Sequence, residues 1–174
     1  MGNPVLRLKA RKLTRDEILS PALKQLVEDM FDTMEDYEGI GLAAPQIHES
    51  IALAIVQDPN EEGPTIVINP EMTVLDDSTQ GFWEGCLSIP EIRGLVYRPR
   101  KIKVDFLDLN ANPQSLILEG FPATVFQHEL DHLFGVLFID RIEYKPGESP
   151  ISFIEEYSRF HVPDEDDEIG ELDD

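Results

Sequence analysis

Two histidines that stand four residues apart are the first candidates for chemistry in this sequence. His128 and His132 lie in VFQHELDHLFG, from Val125 to Gly135, with Glu129 directly after the first histidine. On a helix, residues with this spacing project from one face with Cβ atoms about 5–6 Å apart, within reach of one cation. HExxH on a helix is typical of a zinc-type site in which the glutamate is the general base. The alternative is a half-buried helix that carries two histidines by chance, so the prediction depends on a third ligand.

The only cysteine of the chain is a candidate for this third ligand. Cys86 lies in GFWEGCLSIP, where Gly85 permits a close backbone approach and Pro90 closes the segment. A lone cysteine is more often a small buried hydrophobe. One cysteine and two histidines nevertheless form a three-ligand set that leaves one position open for water, as a catalytic site requires.

A third stretch, GIGLAAPQ, runs from Gly39 to Gln46 and combines small residues with one amide side chain. A nucleotide-binding loop would need a preceding strand, a third glycine or a following lysine, so the pattern does not favour that function. The stretch is better explained as a tightly packed backbone that presents the side chain of Gln46.

A long amphipathic helix is predicted directly before this stretch, in SPALKQLVEDMFDTMEDYEG. Ser20 is the expected N-cap, Pro21 suits the first helical position, and Gly39 would end the helix in the left-handed conformation. Apolar residues recur on one face, which indicates a core helix rather than a site. These residues are Leu23, Leu26, Val27, Met30, Phe31 and Met34.

Strands are expected on both sides of the HELDH helix, which itself should run from roughly Pro122 to Phe134. This helix is apolar almost all round, as a buried helix should be. Strands with a few helices predict an α+β fold, a mostly antiparallel sheet wrapped around the central metal-binding helix. The runs typical of β-strands are 51–56, 65–69, 101–108, 115–120 and 136–140.

The composition restricts the class of protein. A chain of 174 residues with 41% apolar residues fits one soluble domain with its own core. No apolar run approaches the roughly 20 residues that span a membrane, and no secretory leader is recognisable, so we expect a cytoplasmic protein. The single cysteine excludes an internal disulfide, in agreement with a reducing compartment.

The charge is strongly acidic, with 35 acids against 14 bases and a net charge of -21. Such a charge argues against stable binding to nucleic acid or to anionic membranes. Part of the excess is local, because DEDDEIGELDD at 164–174 holds eight acids and no base. We therefore expect a single catalytic domain over residues 1–162 and a solvated acidic tail over 163–174.

Together, GIGLAAPQ, EGCLS and QHELDH resemble the three signature motifs of the peptide deformylase family, in the same order and with comparable spacing. The resemblance extends from GNPVLR to about Arg141. It implies the α+β fold described above and a metal held by Cys86, His128 and His132. The implied reaction removes the N-formyl group from the N-terminal formylmethionine of newly made polypeptides and releases formate.

The resemblance also implies a role for each motif residue. Glu129 would take a proton from the attacking water and pass it to the leaving amine. The side-chain amide of Gln46 and the backbone N–H of Leu87 would stabilise the oxyanion, and Gly41 would bind the peptide backbone. The other substrate-binding candidates are four residues of a methionine pocket and one positioning arginine, namely Ile40, Phe82, Thr124, Val125 and Arg93.

Four further acids and histidines could contribute to the site, but no motif assigns a role to them. Glu84 either orients a metal ligand from behind or pairs with a surface base, and the sequence leaves both open. Asp131 is expected to be structural. His48 and His161 belong to no motif and are expected to be solvated or to cap an element.

The metal and the partners are separate questions. A Cys/His₂ ligand set by itself favours zinc, whereas the resemblance implies Fe²⁺, with Zn²⁺, Ni²⁺ or Co²⁺ able to occupy the site. The expected partners are N-formylmethionyl nascent peptides, and we expect a monomer. Many bacterial family members end in a basic helix that docks on the ribosome. Here SPISFIEEYSRF predicts a helix capped by Ser149 with Pro150 first, but it carries one base, Arg159, so we do not expect C-terminal docking.

Two alternative functions remain open from the sequence. A zincin-type metalloprotease would take its third ligand downstream of HExxH, where only His161 and scattered acids are available. A non-catalytic metal-binding module would typically lack the general base or the oxyanion donor. Glu129 and Gln46 are both present, and a cysteine upstream favours the deformylase.

Overall fold

The computed structural model of the chain describes residues 3–57, 63–143, 147 and 149–153. The helices are α1 Arg15–Ile18, α2 Pro21–Asp36 and α3 Phe121–Leu133, with 3₁₀ turns at Pro4–Arg7, Ala44–Ile47 and Phe138–Asp140. The strands are β1 Gly41–Ala43, β2 Leu53–Gln57, β3 Pro64–Cys86, β4 Ile89–Leu107, β5 Pro113–Glu119 and β6 Ile151–Phe153. Among the described residues, no helix is both long and apolar enough to cross a membrane.

The strands form one antiparallel sheet in the order β1-β2-β3-β4-β5, with β6 paired to β4. Its main component is the long β3–β4 hairpin, which turns between Cys86 and Ile89. The pairing shifts register at several points along β3, and such irregularities bend a strand. The α+β prediction of a mostly antiparallel sheet around a central helix is confirmed.

Helix α3 is the buried centre of the fold. Every residue from Ala123 to Leu133 is buried, which confirms the expected buried helix. Its inner surface packs with strand residues such as Val67 and Val104 in one core cluster. The prediction that Phe134 shares this burial is wrong, because Phe134 follows the helix and is 56% exposed.

Helix α2 begins as predicted, with the Ser20 hydroxyl accepting from the Leu23 N–H at 3.2 Å and proline in the first turn. The predicted end is wrong in detail, since the left-handed residue is Glu38, with φ 52°, and not Gly39. The helix ends before the glycine, whose N–H donates to the Met34 carbonyl at 2.8 Å.

Gly39 is required for space instead of for a left-handed turn. A Cβ atom at this position would lie 3.2 Å from Leu87 Cδ1 and 3.3 Å from Met34 Cγ. The end of α2 therefore packs directly against the turn that follows Cys86. This contact places GIGLAAPQ, which begins at Gly39, against EGCLS, which contains Leu87.

Two predicted elements near the C-terminal end are wrong. Residues 136–140 form no strand, and Phe138–Asp140 form a 3₁₀ turn, in which Phe138 packs into a core cluster and the Asp140 carboxylate accepts from the Leu137 N–H at 2.8 Å. Ile151–Phe153 form strand β6 instead of a helix begun at Ser149, since they pair with β4 at residues 92–94. The remainder of that predicted helix and the whole of 163–174 lie outside the described residues, so the domain boundary stays a prediction.

Candidate active site

Three metal-ligating side chains converge where β3 meets α3. Cys86 ends β3, and His128 and His132 lie one turn apart on α3. One ligand atom of each residue lies within 4.8 Å of the other two, and Cys86 Sγ is 3.4 Å from His132 Nε2. At these separations one ion can be reached by all three side chains. The third ligand predicted from the sequence is therefore beside the other two.

The electrostatics of this cluster also suit a cation. Burial opposes a charge on His128, but hydrogen bonds with Cys86 and Glu84 and the charge of Glu129 raise its pKa well above the usual range. Burial, and then the charge of His128, lower the pKa of His132, so that its ring is neutral. The negative groups around His128 thus favour positive charge at this position. A sulfur and two imidazoles, arranged in this field, fit a divalent transition metal.

Glu84 orients the first histidine from behind, which decides the alternative that the sequence left open. His128 Nδ1 lies 2.8 Å from Glu84 Oε2, so the ring donates there and keeps Nε2 for a metal. Glu84 is itself held by the buried Arg98, which donates to both carboxylate oxygens at 2.5 and 2.9 Å. Phe138 stacks on His128 with ring centroids 6.1 Å apart. Phe138 lies outside the three motifs, so no sequence pattern predicts this contact.

Glu129 is buried on α3, directly after His128. Burial raises its pKa to about 7, against the opposing positive charges of His128 and Arg98. Its Oε2 atom has no hydrogen-bond partner among the described residues. A carboxylate with a pKa near neutrality can both accept and return a proton.

Gly41 makes room for this carboxylate. A Cβ atom at Gly41 would lie 2.5 Å from Glu129 Oε1 and 2.7 Å from Glu129 Cδ. A close approach was predicted at Gly41, but the partner that the structure shows is Glu129. The predicted contact of Gly41 with a substrate backbone stays a prediction.

We expect Gly41→Ala to lower kcat on the order of 100-fold, the cost of moving a catalytic group by about 1 Å. The added methyl group must displace the Glu129 side chain, because its three nearest atoms all belong to that residue. Formate release should be compared with metal content and melting temperature on the same preparation. Loss of metal or of the fold in parallel with kcat would contradict this explanation.

The amide of Gln46 is directed into the site by the backbone beside it. Its Oε1 accepts from the Ala43 N–H at 2.8 Å, so the NH₂ group points away from that strand. Gln46 Nε2 then lies 3.5 Å from Cys86 Sγ and 3.3 Å from Ser88 Oγ. Leu87 lies between these two residues in the β3–β4 turn. Both oxyanion candidates therefore adjoin the cysteine, and the contact with Ser88 was not predicted from the sequence.

Two of the four pocket candidates lie on the same helix as the two histidines. Thr124 and Val125 are buried one turn before His128 and Glu129 on α3. Phe82 packs edge-to-face on Phe121 with ring centroids 5.5 Å apart. Ile40, which precedes Gly41, is 50% exposed. Binding of a substrate side chain by these four residues stays a prediction.

Arg93 is placed differently. It pairs with Gly85 across the hairpin, and its Cγ would be 3.5 Å from a Cβ at that glycine. Paired residues share a face of the hairpin, and Glu84, the neighbour of Gly85, points to the other face. The role of Arg93 in substrate positioning stays a prediction.

The remaining weaker assignments have clear positions. Asp131 accepts hydrogen bonds from Arg98 at 2.8 Å and from Arg141 at 2.7 Å, in agreement with a structural role. His48 is exposed, and its Nδ1 lies 2.8 Å from Asn3 Nδ2. His161 lies outside the described residues.

Comparison with known proteins identifies the family. The family model for polypeptide deformylase matches residues 1–146. This chain belongs to the polypeptide deformylase family. A peptide deformylase of Leptospira biflexa serovar Patoc is 45% identical over 152 residues, which cover 82% of this chain and 85% of that protein.

Solved structures of deformylases agree with this fold. The crystal structure of peptide deformylase from Thermotoga maritima has a TM-score of 0.77 and 44% identity, and the match covers 83% of this chain and 95% of that one. A class I type b peptide deformylase from Acinetobacter baumannii, crystallised with Met-Ala-Ser bound, has a TM-score of 0.77 and 37% identity, with 82% and 94% covered. The predicted family, fold class and hydrolase activity are confirmed at this level. Membership argues against both alternatives, the zincin-type protease and the non-catalytic module.

Proposed function

We propose that this deformylase removes the N-formyl group from the N-terminal formylmethionine of newly made polypeptides and releases formate. One observation carries the proposal: Cys86, His128 and His132 converge within 4.8 Å, with the buried Glu129 beside them, in a chain of this family. The expected setting is the cytoplasm, where nascent chains are made, and the expected form is a monomer.

The proposed metal site consists of Cys86, His128 and His132. A divalent ion held there would supply a Lewis acid that activates water and polarises the formyl carbonyl. We propose Fe²⁺ on the basis of the family resemblance, with Zn²⁺, Ni²⁺ or Co²⁺ able to occupy the same ligands. The hydrogen bond from His128 to Glu84 keeps the ring in the tautomer and orientation that a ligand needs.

The chain's own groups then move the proton and stabilise the charge. Glu129, with a pKa of about 7, takes a proton from water and delivers it to the leaving amine. The Gln46 amide and the Leu87 backbone N–H donate to the oxyanion that develops on the formyl oxygen. Because Ala43 holds the other end of the Gln46 amide, this donor needs no reorientation during the reaction.

Substrate binding would use the backbone edge and the apolar surface beside the ligands. In the described part of the chain, β1 pairs with β2 alone, so its second edge can accept an extended peptide alongside Gly41. The methionine side chain would enter the pocket formed by Ile40, Phe82, Thr124 and Val125, and Arg93 would position the substrate.

The proposed function is tested by formate release from formyl-Met-Ala-Ser, using anaerobically prepared protein of measured metal content. We expect formate with the formylated peptide, and no cleavage of a blocked peptide that lacks the formyl group. The second substrate separates deformylation from internal peptide cleavage. A fully metallated sample that releases no formate would overturn the proposal.

We also propose that the C-terminal residues do not dock this enzyme on the ribosome. The stretch from Ser149 has one base, and residues 164–174 hold eight acids, which the RNA surface repels. The basic patch RPRKIK at 98–103 has four bases, but they do not offer a free positive surface that would compensate for these acids. Arg98 is buried, Arg100 and Lys101 pair with Glu119, and Lys103 pairs with Asp105.

We expect truncation after His161 to leave formate release from short peptides within about two-fold, because residues 162–174 contain none of the three motifs, and to raise affinity for ribosomes. Co-sedimentation at low and moderate salt measures the second effect, since binding through phosphates weakens with salt. Tight ribosome binding by the full-length protein that disappears on truncation would contradict this proposal.

A further inference from the structure

One guanidinium lies behind the proposed metal ligands and joins three elements of the fold. Arg98 is in β4 and is 3% exposed. Its Nε and Nη2 donate to the two oxygens of Glu84 in β3, at 2.5 and 2.9 Å. Its Nη1 donates to Asp131 Oδ2 in α3, at 2.8 Å. The two carboxylates thus come from the two elements that carry the ligands.

The positions of these carboxylates along the chain relate them directly to the ligands. Glu84 precedes Cys86 by two residues and accepts from His128. Asp131 immediately precedes His132. We propose that Arg98 is a positioning residue that clamps β3 to α3, and so holds Cys86 at the distance from His128 and His132 that a metal requires. This inference rests on the metal site proposed above.

Stability alone is a weak explanation for this network. Taking a guanidinium and two carboxylates out of water carries a large desolvation penalty, and apolar residues of similar volume often stabilise a core as well. The network does supply a fixed geometry, because the planar guanidinium donates to both carboxylates from one rigid fork. Rigid outer contacts of this kind orient ligands and determine metal affinity.

The chain offers a matched control in Arg141. This arginine also donates to Asp131, at 2.7 and 3.1 Å, but its side chain is 49% exposed and none of its hydrogen bonds among the described residues reaches Glu84. It therefore shares a carboxylate with Arg98 without linking β3 to α3. A purely electrostatic or stabilising role of the network would involve both arginines.

The test measures Co²⁺ binding to metal-free protein by chelator competition and records the visible d–d spectrum of the loaded protein. Arg98→Lys keeps the charge but cannot contact both carboxylates with a fork, so we expect affinity to fall about 10- to 100-fold, the cost of losing an outer contact. The spectrum should shift because the ligand geometry is no longer fixed. Arg141→Met should change affinity by less than about two-fold and leave the spectrum unchanged.

A third variant separates clamping of α3 from an effect that passes through Glu84 alone. Asp131→Asn keeps the Arg98–Glu84 pair and weakens the link to α3, so we expect a loss of affinity comparable to that of Arg98→Lys. Circular dichroism and melting of each metal-free variant show whether it is folded at the assay temperature. If the Arg98→Lys protein is unfolded, the metal affinity of Asp131→Asn tests the clamp, because that variant retains the buried Arg98.

The outcomes distinguish this inference from the proposed function. Wild-type protein that does not bind Co²⁺ would refute the metal site itself. Wild-type binding with unchanged affinity and spectrum in folded Arg98→Lys or Asp131→Asn would overturn the clamp alone. Equal losses in Arg141→Met and Arg98→Lys would likewise overturn it, since a general effect of the network would then explain both.

Discussion

Glu129→Gln is expected to keep its metal and to lose roughly two to four orders of magnitude in kcat, the usual contribution of a general acid–base group. Glutamine has nearly the same shape as glutamate, so it fits the buried space against Gly41. An amide cannot accept and return the proton that a carboxylate of pKa about 7 can transfer. The three ligands are untouched by the change, so metal content should stay at the wild-type value.

Metal analysis and formate release on one preparation of Glu129→Gln check both parts of this expectation. Glu129→Asp is a matched variant, because it keeps a carboxylate but withdraws it by one methylene group from the ligands. We expect its kcat to lie between those of the wild type and Glu129→Gln. Turnover by Glu129→Gln within a few-fold of the wild type would remove Glu129 from the role of base.

The helices were predictable because their signals are local. Ser20 and Pro21 mark the start of α2, and the continuous apolar character of α3 indicates its burial. The central part of the β3–β4 hairpin was missed, because residues 71–79 are exposed and rich in acids and small polar residues. Pairing with β4 makes them a strand, and such long-range context outweighs intrinsic preference.

At 136–140 the opposite happened, because a strand was predicted from an apolar run and the structure has none there. VLFID has the composition of a strand, yet short apolar runs fit several structures. Here Leu137 and Phe138 are buried in a turn that follows α3, and packing against Ile89 and Val96 satisfies them without a partner strand.

The three proposed ligands could be named from the sequence, but the contacts around them could not. Three motifs indicated Cys86, His128 and His132. Arg98 belongs to the basic run RPRKIK at 98–103, and only the folding of the hairpin places it beside Glu84, fourteen residues earlier. The fit of Glu129 against Gly41 likewise joins residues 88 positions apart. Such contacts depend on tertiary structure, which no local pattern encodes.

Cys86→Ser is expected to have the largest effect on metal binding. Serine replaces a soft sulfur ligand by a hard, poorly ionised hydroxyl, which binds Fe²⁺ or Zn²⁺ weakly. The loss of affinity should therefore exceed the roughly 10- to 100-fold cost of removing an outer contact. The fold should remain, since serine is similar in size and can still accept from Gln46 Nε2, which lies 3.5 Å from the sulfur.

Chelator competition with Zn²⁺ and with anaerobic Fe²⁺ measures the affinity of Cys86→Ser, and Ser88→Ala is its control. Ser88 lies two residues further along the turn and contacts the same Gln46 amide, but it offers no ligand in the proposed set. We expect Ser88→Ala to retain its metal, because Cys86 and both histidines remain. Undiminished, tight binding by Cys86→Ser would mean that the third ligand lies elsewhere, and the ligand set proposed for this chain would then be wrong.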